Sequence, residues 1–205
     1  MTLAAPESLS GEVWPIHPKP LDDELLSSWM IRIARAYGVK PSSFWNQFWP
    51  MADISFAIID HGLKEGLLRL LSGKMSVSYE TTANTTLLPF ASADHMLLRA
   101  TRLRFCPCRL AQDVTPYFRR RWQMLPMLVC EVHSILLLAA CQQCRERLHP
   151  ELVPIEAASI ASCYRCGHDL RQSTTHPIPR SKKYERWLAF QGRLLKLMDG
   201  HTPGS

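Results

Sequence analysis

Six residues that could bind a soft metal ion stand in three pairs, each with two residues between its members. The pairs are Cys130 with His133, Cys141 with Cys144, and Cys163 with Cys166. Eighteen residues separate Cys144 from Cys163, which matches a known two-pair zinc pattern. Four thiolates fill a tetrahedral zinc ion and leave no open position. The last two pairs therefore predict a structural zinc site.

A second zinc site is predicted from Cys106 and Cys108 together with Cys130 and His133. The Cys130–His133 pair has regular knuckle spacing, whereas Cys-x-Cys is tighter than usual. Both thiols of the tight pair reach one ion only if the chain turns sharply, and Pro107 restricts that turn. The alternative is that Cys108 is a free thiol and the fourth ligand is another group or absent. With both sites filled, the chain would carry two structural Zn²⁺ ions.

A catalytic role for these ions is not favoured. Catalytic zinc keeps an open position and works with a nearby glutamate, and Glu131 does lie inside the Cys130–His133 pair. A zinc deaminase, however, places His-x-Glu before a separate Pro-Cys-x2-Cys. Here the order is reversed and all four predicted positions are filled. We therefore expect no catalytic residues, no enzyme activity and no small-molecule substrate.

The number of cysteines and the expected cellular compartment help to decide whether these cysteines bind metal or form disulfides. The longest apolar runs, 124–130 and 135–141, fall far short of the roughly 18 residues of a membrane span. The N-terminus shows neither the basic start nor the apolar core of a secretory signal. We therefore expect a cytoplasmic protein with no membrane partner, where thiols stay reduced. The odd count of seven cysteines would also leave one thiol over in a disulfide framework.

The elements that must position the ligands are predicted to be mostly helical. Three prolines in "WPIHPKP" (14–20) oppose helix and indicate an extended strap. Helices are predicted from a cap at Asp22 or Asp23 to Gly38, from Pro41 to Pro50, from Asp60 to Gly73, around 93–103, and over 181–200. Aspartate, proline and glycine mark these ends because they respectively cap, open and terminate helices.

The predicted fold class is mostly α with small zinc-stabilised modules. An N-terminal helical, helix-turn-helix-like domain is followed by two zinc-finger or zinc-ribbon units and a C-terminal helix. The expected boundaries are 1–20 for the leader and Pro-rich strap, 21–104 for the helical domain, 105–180 for the tandem zinc-binding domain, and 181–205 for the C-terminal helix and tail.

Within the helical domain, residues 67–88 have the layout of a helix-turn-helix. A first helix would lead through a glycine-containing turn into a second helix that presents Ser76, Ser78, Tyr79, Thr82 and Asn84. A helix, a glycine turn and another helix also occur as a packed pair in many all-α folds. The packed pair, or a threonine-rich loop, therefore stands as the alternative.

Positive charge gathers in two places, although the formal net charge of the chain is only +6. Arg119, Arg120 and Arg121 come just after Tyr117 and Phe118, and we predict that they bind nucleic-acid phosphates while the ring of Tyr117 or Phe118 stacks on a base. Lys182, Lys183 and Arg186 on the last helix would extend this basic track. The alternative is a solvated run of charges.

Aromatic residues crowd the first fifty positions and suggest a protein partner. Trp45 and Trp49, together with Phe44 and Phe48, flank a short helix from more than one side, so we do not expect all of these rings to be buried against one surface. We predict that Trp14, Pro15, Trp45 and Trp49 contribute to a partner-binding surface.

Two stretches together resemble the TniQ/TnsD family of transposon target-selection proteins. They are "WPIHPKPLDDELLSSWMIRIARAYG", with a strap before Glu-x-x-Ser-Ser-Trp and a trailing arginine, and "RFCPCRLAQDVTPYFRRRWQMLPMLVCEVHSILLLAACQQC". Family members carry Cys-Pro-x-Cys, which would place the second thiol at Arg109 rather than at Cys108. The resemblance runs from about Trp14 to Leu170.

The resemblance implies a non-catalytic adaptor. The short family members serve RNA-guided transposons and join a target-recognition complex to an AAA+ ATPase that regulates transposition. The implied partners are this ATPase and a CRISPR effector complex with its guide RNA or target DNA. The residues alone leave another class open, a zinc-containing helix-turn-helix transcription regulator. Sequence preference on naked DNA would favour the regulator, whereas dependence on an ATPase or guide complex would favour the adaptor.

Overall fold

The computed structural model describes residues 13–48, 56–61, 63–87, 102–179 and 181–199. The α-helices in these ranges are α1 (Leu26–Ala36), α2 (Pro41–Phe48), α3 (Glu65–Met75), α4 (Tyr79–Ala83), α5 (Pro107–Gln112) and α6 (Lys182–Asp199). Short 3-10 helices cover Phe56–His61, Arg120–Gln123, Pro150–Leu152 and Leu170–Gln172. The described residues form isolated antiparallel bridges but no longer strand. The mostly helical class is therefore confirmed. The helix predicted around 93–103 lies outside the described residues except for its last two positions, 102 and 103, which are not helical.

None of the helices in the described ranges is long and apolar enough to cross a membrane.

The N-terminus of α1 is capped by residues distant in sequence, not by Asp22 or Asp23 as predicted. The Leu26 amide donates to the Thr85 carbonyl at 2.8 Å. The Ser27 amide and hydroxyl both donate to the Asp60 carboxylate at 2.7 Å. These bonds satisfy N–H groups that a helix cannot satisfy itself. Asp23 instead takes a left-handed backbone, with φ 54°, and its carboxylate turns toward the zinc-binding region.

The C-terminus of α1 ends as predicted at Gly38. The Gly38 amide donates to the Arg35 carbonyl and the Val39 amide donates to the Ala34 carbonyl. This pair of bonds is the Schellman motif, which needs a left-handed residue. Gly38 supplies it with φ 67°.

The predicted helix-turn-helix is not confirmed. Gly73 lies inside α3, and the turn is made by Ser76 with φ 49°. The second helix, α4, has only five residues, and Ser78 caps it by accepting from the Thr81 amide. Thr82 is buried, so it cannot face a DNA groove. The packed-pair alternative describes these two helices better.

The strap packs into the core of the helical domain. Trp14 is fully buried and meets Phe44 and Phe48 edge-on. The indole N–H of Trp29 donates to the Pro18 carbonyl at 2.7 Å, and the Lys19 ammonium donates to the Met75 carbonyl at the end of α3. The strap is therefore a structural part of this domain.

Burial contradicts part of the predicted partner surface. Trp14 and Trp45 belong to the buried core of the helical domain. Burying a large aromatic ring stabilises the fold more than leaving the ring exposed to water. Pro15 is exposed. Trp49 lies outside the described residues.

A second core lies in the zinc-binding region and reaches back to α1. It contains Phe105, Phe118, Trp122 and Leu170 together with four of the cysteines. Ile31 of α1 is part of it, while the neighbouring α1 residues Trp29 and Ile33 face the first core. Helix α1 therefore separates the two cores and contributes to both.

Candidate metal centres

Three loops of the zinc-binding region share one backbone geometry. They cover residues 130–135, 141–146 and 163–168, and we call them the knuckle loops. In each, the amide of the first cysteine donates to the carbonyl five residues on, at 2.8 to 2.9 Å. The amide four residues on donates back to the carbonyl of that cysteine. An antiparallel bridge closes each loop at its base, so the side chains of each pair are held on one side.

The fifth residue of each knuckle loop adopts the left-handed backbone. These residues are Ser134 with φ 52°, Arg145 with φ 62° and Gly167 with φ 73°. Glycine takes this conformation without strain, whereas other L-residues pay for it. Gly167 therefore makes the turn of the third loop at little cost. The other two loops make the same turn without glycine.

Four thiols from two knuckle loops converge on one point. Cys141, Cys144, Cys163 and Cys166 have their sulfur atoms within 4.8 Å of one another. The Cys141–Cys166 distance is 3.7 Å and the Cys144–Cys163 distance is 3.6 Å. A tetrahedral zinc ion with bonds of about 2.3 Å places its sulfur ligands about 3.8 Å apart. The four thiols therefore fit one tetrahedral metal ion.

The remaining knuckle loop forms a second group with the start of α5. The Nδ1 atom of His133 lies 3.4 Å from the sulfur of Cys106 and 3.5 Å from that of Cys130. For tetrahedral zinc with one nitrogen ligand, a sulfur–nitrogen separation of about 3.5 Å is expected. Cys106, Cys130 and His133 therefore fit a metal ion as three ligands.

Cys108 does not join this group in the described part of the chain. Pro107 occupies the first position of α5 and Cys106 is its N-cap. Cys108 thus lies on the first turn of a helix, and residues two apart on a helix do not face the same side. The predicted set of four is corrected to three, which leaves one coordination position of this ion to another group. The alternative with Cys108 as a free thiol describes the structure better.

All seven cysteines are free thiols. A hydrogen bond from the Cys106 thiol lowers the pKa of Cys130 to about 5, and the same bond raises the pKa of Cys106. One thiolate is thus already favoured before a metal ion arrives. A cation would displace the remaining protons, so metal affinity falls as pH falls.

We expect purified protein to contain close to two zinc ions per chain. Cys108→Ser should leave that content unchanged, because Cys108 is not in either group. Cys106→Ser should lower it to about one ion, because two ligands hold zinc poorly. Elemental analysis of both variants checks this. Loss of one ion from Cys108→Ser would restore Cys108 as a ligand.

Comparison with protein families decides what kind of protein carries these centres. The family model named TniQ matches residues 15–137. The chain belongs to the TniQ family. The match covers nearly all of the strap, helices α1 to α5 and the three-ligand group, and it ends before the four-thiol group and α6. No curated protein matches the chain.

The structure explains why the TniQ-like motif around α1 has its composition. The Glu24 carboxylate is buried and accepts from both Arg32 Nε and Arg32 Nη2, at 2.7 and 2.6 Å. It also accepts from the Ser28 hydroxyl at 3.1 Å. Ser28 Oγ in turn accepts from the Phe118 amide at 3.0 Å. The motif residues therefore join α1 to the zinc-binding region instead of facing a ligand.

The three consecutive arginines also form ion pairs within this TniQ chain. Arg119 makes a two-bond ion pair with Asp113, and only 4% of its side chain is exposed. Arg120 and Arg121 both pair with Asp23. The segment is a 3-10 helix, not the strand that would alternate the side chains.

These pairs oppose the predicted phosphate track at 119–121. The Tyr117 ring is buried beneath the Arg119 guanidinium, 4.1 Å from its centre, so it does not offer a face to a base. Neither the nucleic-acid prediction nor the solvated-charge alternative describes these residues. The sequence carried one clue, because Asp113 is the single acid among the arginines from 99 to 121.

The basic residues predicted on the last helix are placed differently. Lys182, Lys183 and Arg186 are exposed on α6. The helix packs through Leu194 and Leu195 against Met124 and Met127, and the Trp187 indole N–H donates to the Pro126 carbonyl at 2.9 Å. Sequence analysis missed Gln191, which is buried and bonds the backbone of Leu128 and Val129. Its position between apolar residues of α6 was the available clue.

Proposed function

We propose that this TniQ chain is a non-catalytic adaptor for target selection in DNA transposition. It links a target-recognition complex, an RNA-guided CRISPR effector, to an AAA+ ATPase that regulates transposition. The family match over residues 15–137 carries the proposal. The effector and the ATPase follow from the resemblance to short family members.

The positions of the metal-binding residues support an adaptor role. The four-thiol group fits a closed structural ion, and the ligands Cys106, Cys130, Cys141 and Cys163 pack inside the second core. Metal ions in this setting fix the positions of loops and helices. A scaffold of this kind presents surfaces to partners, and this is what an adaptor needs.

The alternative of a helix-turn-helix transcription regulator has lost its main support. Its recognition helix would be α4, which has five residues and buries Thr82. The structure offers no observation that favours this alternative over the adaptor.

We place the ATPase-binding surface on the outer edge of the strap. Trp14 faces the core, while Val13, Pro15, Ile16 and Leu21 are exposed around it. Exposed apolar side chains grouped on one segment are a feature of protein-binding sites. This retains Pro15 from the predicted partner surface and replaces the buried tryptophans by aliphatic neighbours.

The double variant Val13→Ser with Ile16→Ser should weaken ATPase binding. We expect the dissociation constant to rise about tenfold, equivalent to about 1.4 kcal/mol, because two apolar contacts are lost. Binding of the ATPase to the full chain is measured by pull-down and titration. Zinc content should be unchanged. Deleting residues 1–20 is a poor test, since it also removes Trp14 and Lys19 from the fold.

The matched control is Val132→Ser with Leu152→Ser. These side chains are exposed to a similar degree, 52% and 53%, but they lie in the zinc-binding region. We expect this control to bind the ATPase like the unchanged chain. If both variants weaken ATPase binding equally, or if neither variant weakens it, the interface does not lie on the strap. Failure of the unchanged chain to bind any transposition ATPase would overturn the adaptor proposal itself.

A further inference from the structure

Helix α6 carries an unusual distribution of charge. It contains five basic residues and two acidic ones. All five basic side chains, Lys182, Lys183, Arg186, Arg193 and Lys196, are exposed. At about 100° per residue they fall within about 140° of the helix circumference, and the exposed side chain of Phe190 lies on the same side. We call these five residues the basic face.

The basic face weakens the helix on which it stands. Lys182 and Arg186 are four apart, and Arg193 and Lys196 are three apart, so like charges are neighbours on the surface. Lysines at the N-terminal end also oppose the helix dipole. In the described ranges, no ion pair joins any of the five to a carboxylate. The arrangement therefore lacks an internal stabilising role.

The contrast with the other arginine cluster is informative. Asp113, Asp23 and Glu131 neutralise the run at 119–121 with four ion pairs. The protein thus provides carboxylates where basic side chains are structural. On α6 the acidic residue Glu185 is exposed, but within the described ranges it forms no ion pair with any of the five cations, which can therefore bind an external anion.

The opposite side of α6 is already occupied. Leu194 and Leu195 pack against Met124 and Met127, and Gln191 bonds the backbone at Val129. A helix that inserts into a lipid surface needs its apolar side free. The exposed side of α6 therefore carries the basic face together with the ring of Phe190, which is 43% exposed. Its five cations make anions the expected partners.

We propose that the basic face binds the phosphate backbone of duplex DNA. From Lys182 to Lys196 the helix advances about 21 Å, and a DNA strand places a phosphate about every 3.4 Å along the axis. Five cations spread along one side of a helix of this length can therefore lie beside several phosphates of a duplex. The choice of DNA rests on the proposed role in transposition.

The test compares two variants of equal charge change. Arg186→Gln with Arg193→Gln removes two cations from the basic face, and Lys40→Gln with Lys64→Gln removes two exposed cations from the helical domain. Affinity for a short duplex of random sequence is measured across about 50 to 200 mM salt. Each lost phosphate contact should reduce the slope of log affinity against log salt by about 0.9. We expect a slope shallower by about 2 for the α6 variant and no change for the control.

Each other outcome overturns the proposal. Equal effects in both variants would mean that only overall charge matters, and no effect in either would mean that α6 does not contact DNA. Single-stranded DNA and an RNA duplex are titrated in parallel. If only they depend on Arg186 and Arg193, duplex DNA is the wrong partner. Equal zinc content and thermal unfolding show that both variants are folded.

The result is separable from the proposed function. The α6 variant should still bind the ATPase, because the strap is untouched. An unchanged salt slope with normal ATPase binding would reject the basic face alone. Loss of ATPase binding by the unchanged chain would reject the adaptor and leave the measured DNA slope standing.

Discussion

Replacing Cys144 with serine should unfold the part of this TniQ protein that surrounds the four-thiol group. The four-thiol group ties two knuckle loops together, and structural zinc contributes about 10–16 kcal/mol of apparent binding free energy in small zinc domains. This is comparable with the whole stability of an ordinary domain, about 5–15 kcal/mol. Zinc content should fall by about one ion, and amide protection should be lost from the loops at 141–146 and 163–168.

The loss should spread beyond the loops themselves. Cys141 and Cys163 pack in the second core beside Phe118 and Leu170, so their release disturbs that core. The Arg35 guanidinium, which donates to the carbonyls of Pro154 and Ile155 at 3.0 Å, would lose its partners as well. Cys108→Ser is the matched control, since it removes a thiol outside both groups. A Cys144→Ser protein with two zinc ions and native amide protection would contradict the four-thiol site.

The second large effect is expected from Asp23→Asn. The Asp23 carboxylate accepts from Arg121 Nε at 2.6 Å and from Arg120 Nε at 3.3 Å, and only 4% of this side chain is exposed. Asparagine keeps the shape and tolerates the left-handed backbone, so the change is confined to charge. Removing one partner of a buried ion pair costs about 3–5 kcal/mol. Chemical denaturation should show this loss.

The control for this prediction removes a peripheral partner of the same cluster. Glu131 accepts from Arg121 Nη1 at 3.2 Å, and its side chain is more exposed than that of Asp23. Glu131→Gln should cost less than about 1 kcal/mol, as is usual for exposed pairs. If Asp23→Asn is no more destabilising than Glu131→Gln, the arginines do not depend on Asp23. They would then be available to an external partner, as the sequence suggested.

The spacing of residues in the sequence determined much of the local structure of this protein. The x2 pairs predicted the knuckle loops, because a turn of that length brings two side chains to one side. The stop at Gly38 followed from a conformation that glycine adopts at little cost. The helix predicted over 181–200 corresponds to α6, Lys182–Asp199.

Tertiary structure decided the features that depend on partners distant in sequence. The cap of α1 comes from Asp60 and Thr85. The charge of Arg119 to Arg121 is neutralised partly by Asp23, almost a hundred residues earlier. A run of arginines has the same composition whether it faces phosphate or buried carboxylates. Only the folded positions of Asp23 and Asp113 distinguish the two cases.

At the three-ligand group, sequence spacing predicted some of the metal ligands and the tertiary structure decided the rest. Cys-Pro-Cys predicted two nearby thiols, but the backbone conformation decides whether both can reach one ion. Pro107 begins a helix there, and a helix turns side chains two apart away from each other. The sequence determined which residues could bind metal. It also identified Trp14 and Trp45 as large apolar side chains. Which thiol contacts the ion and which ring is buried depend on how α5, α1 and the strap pack. Packing is settled by contacts that sequence spacing does not encode.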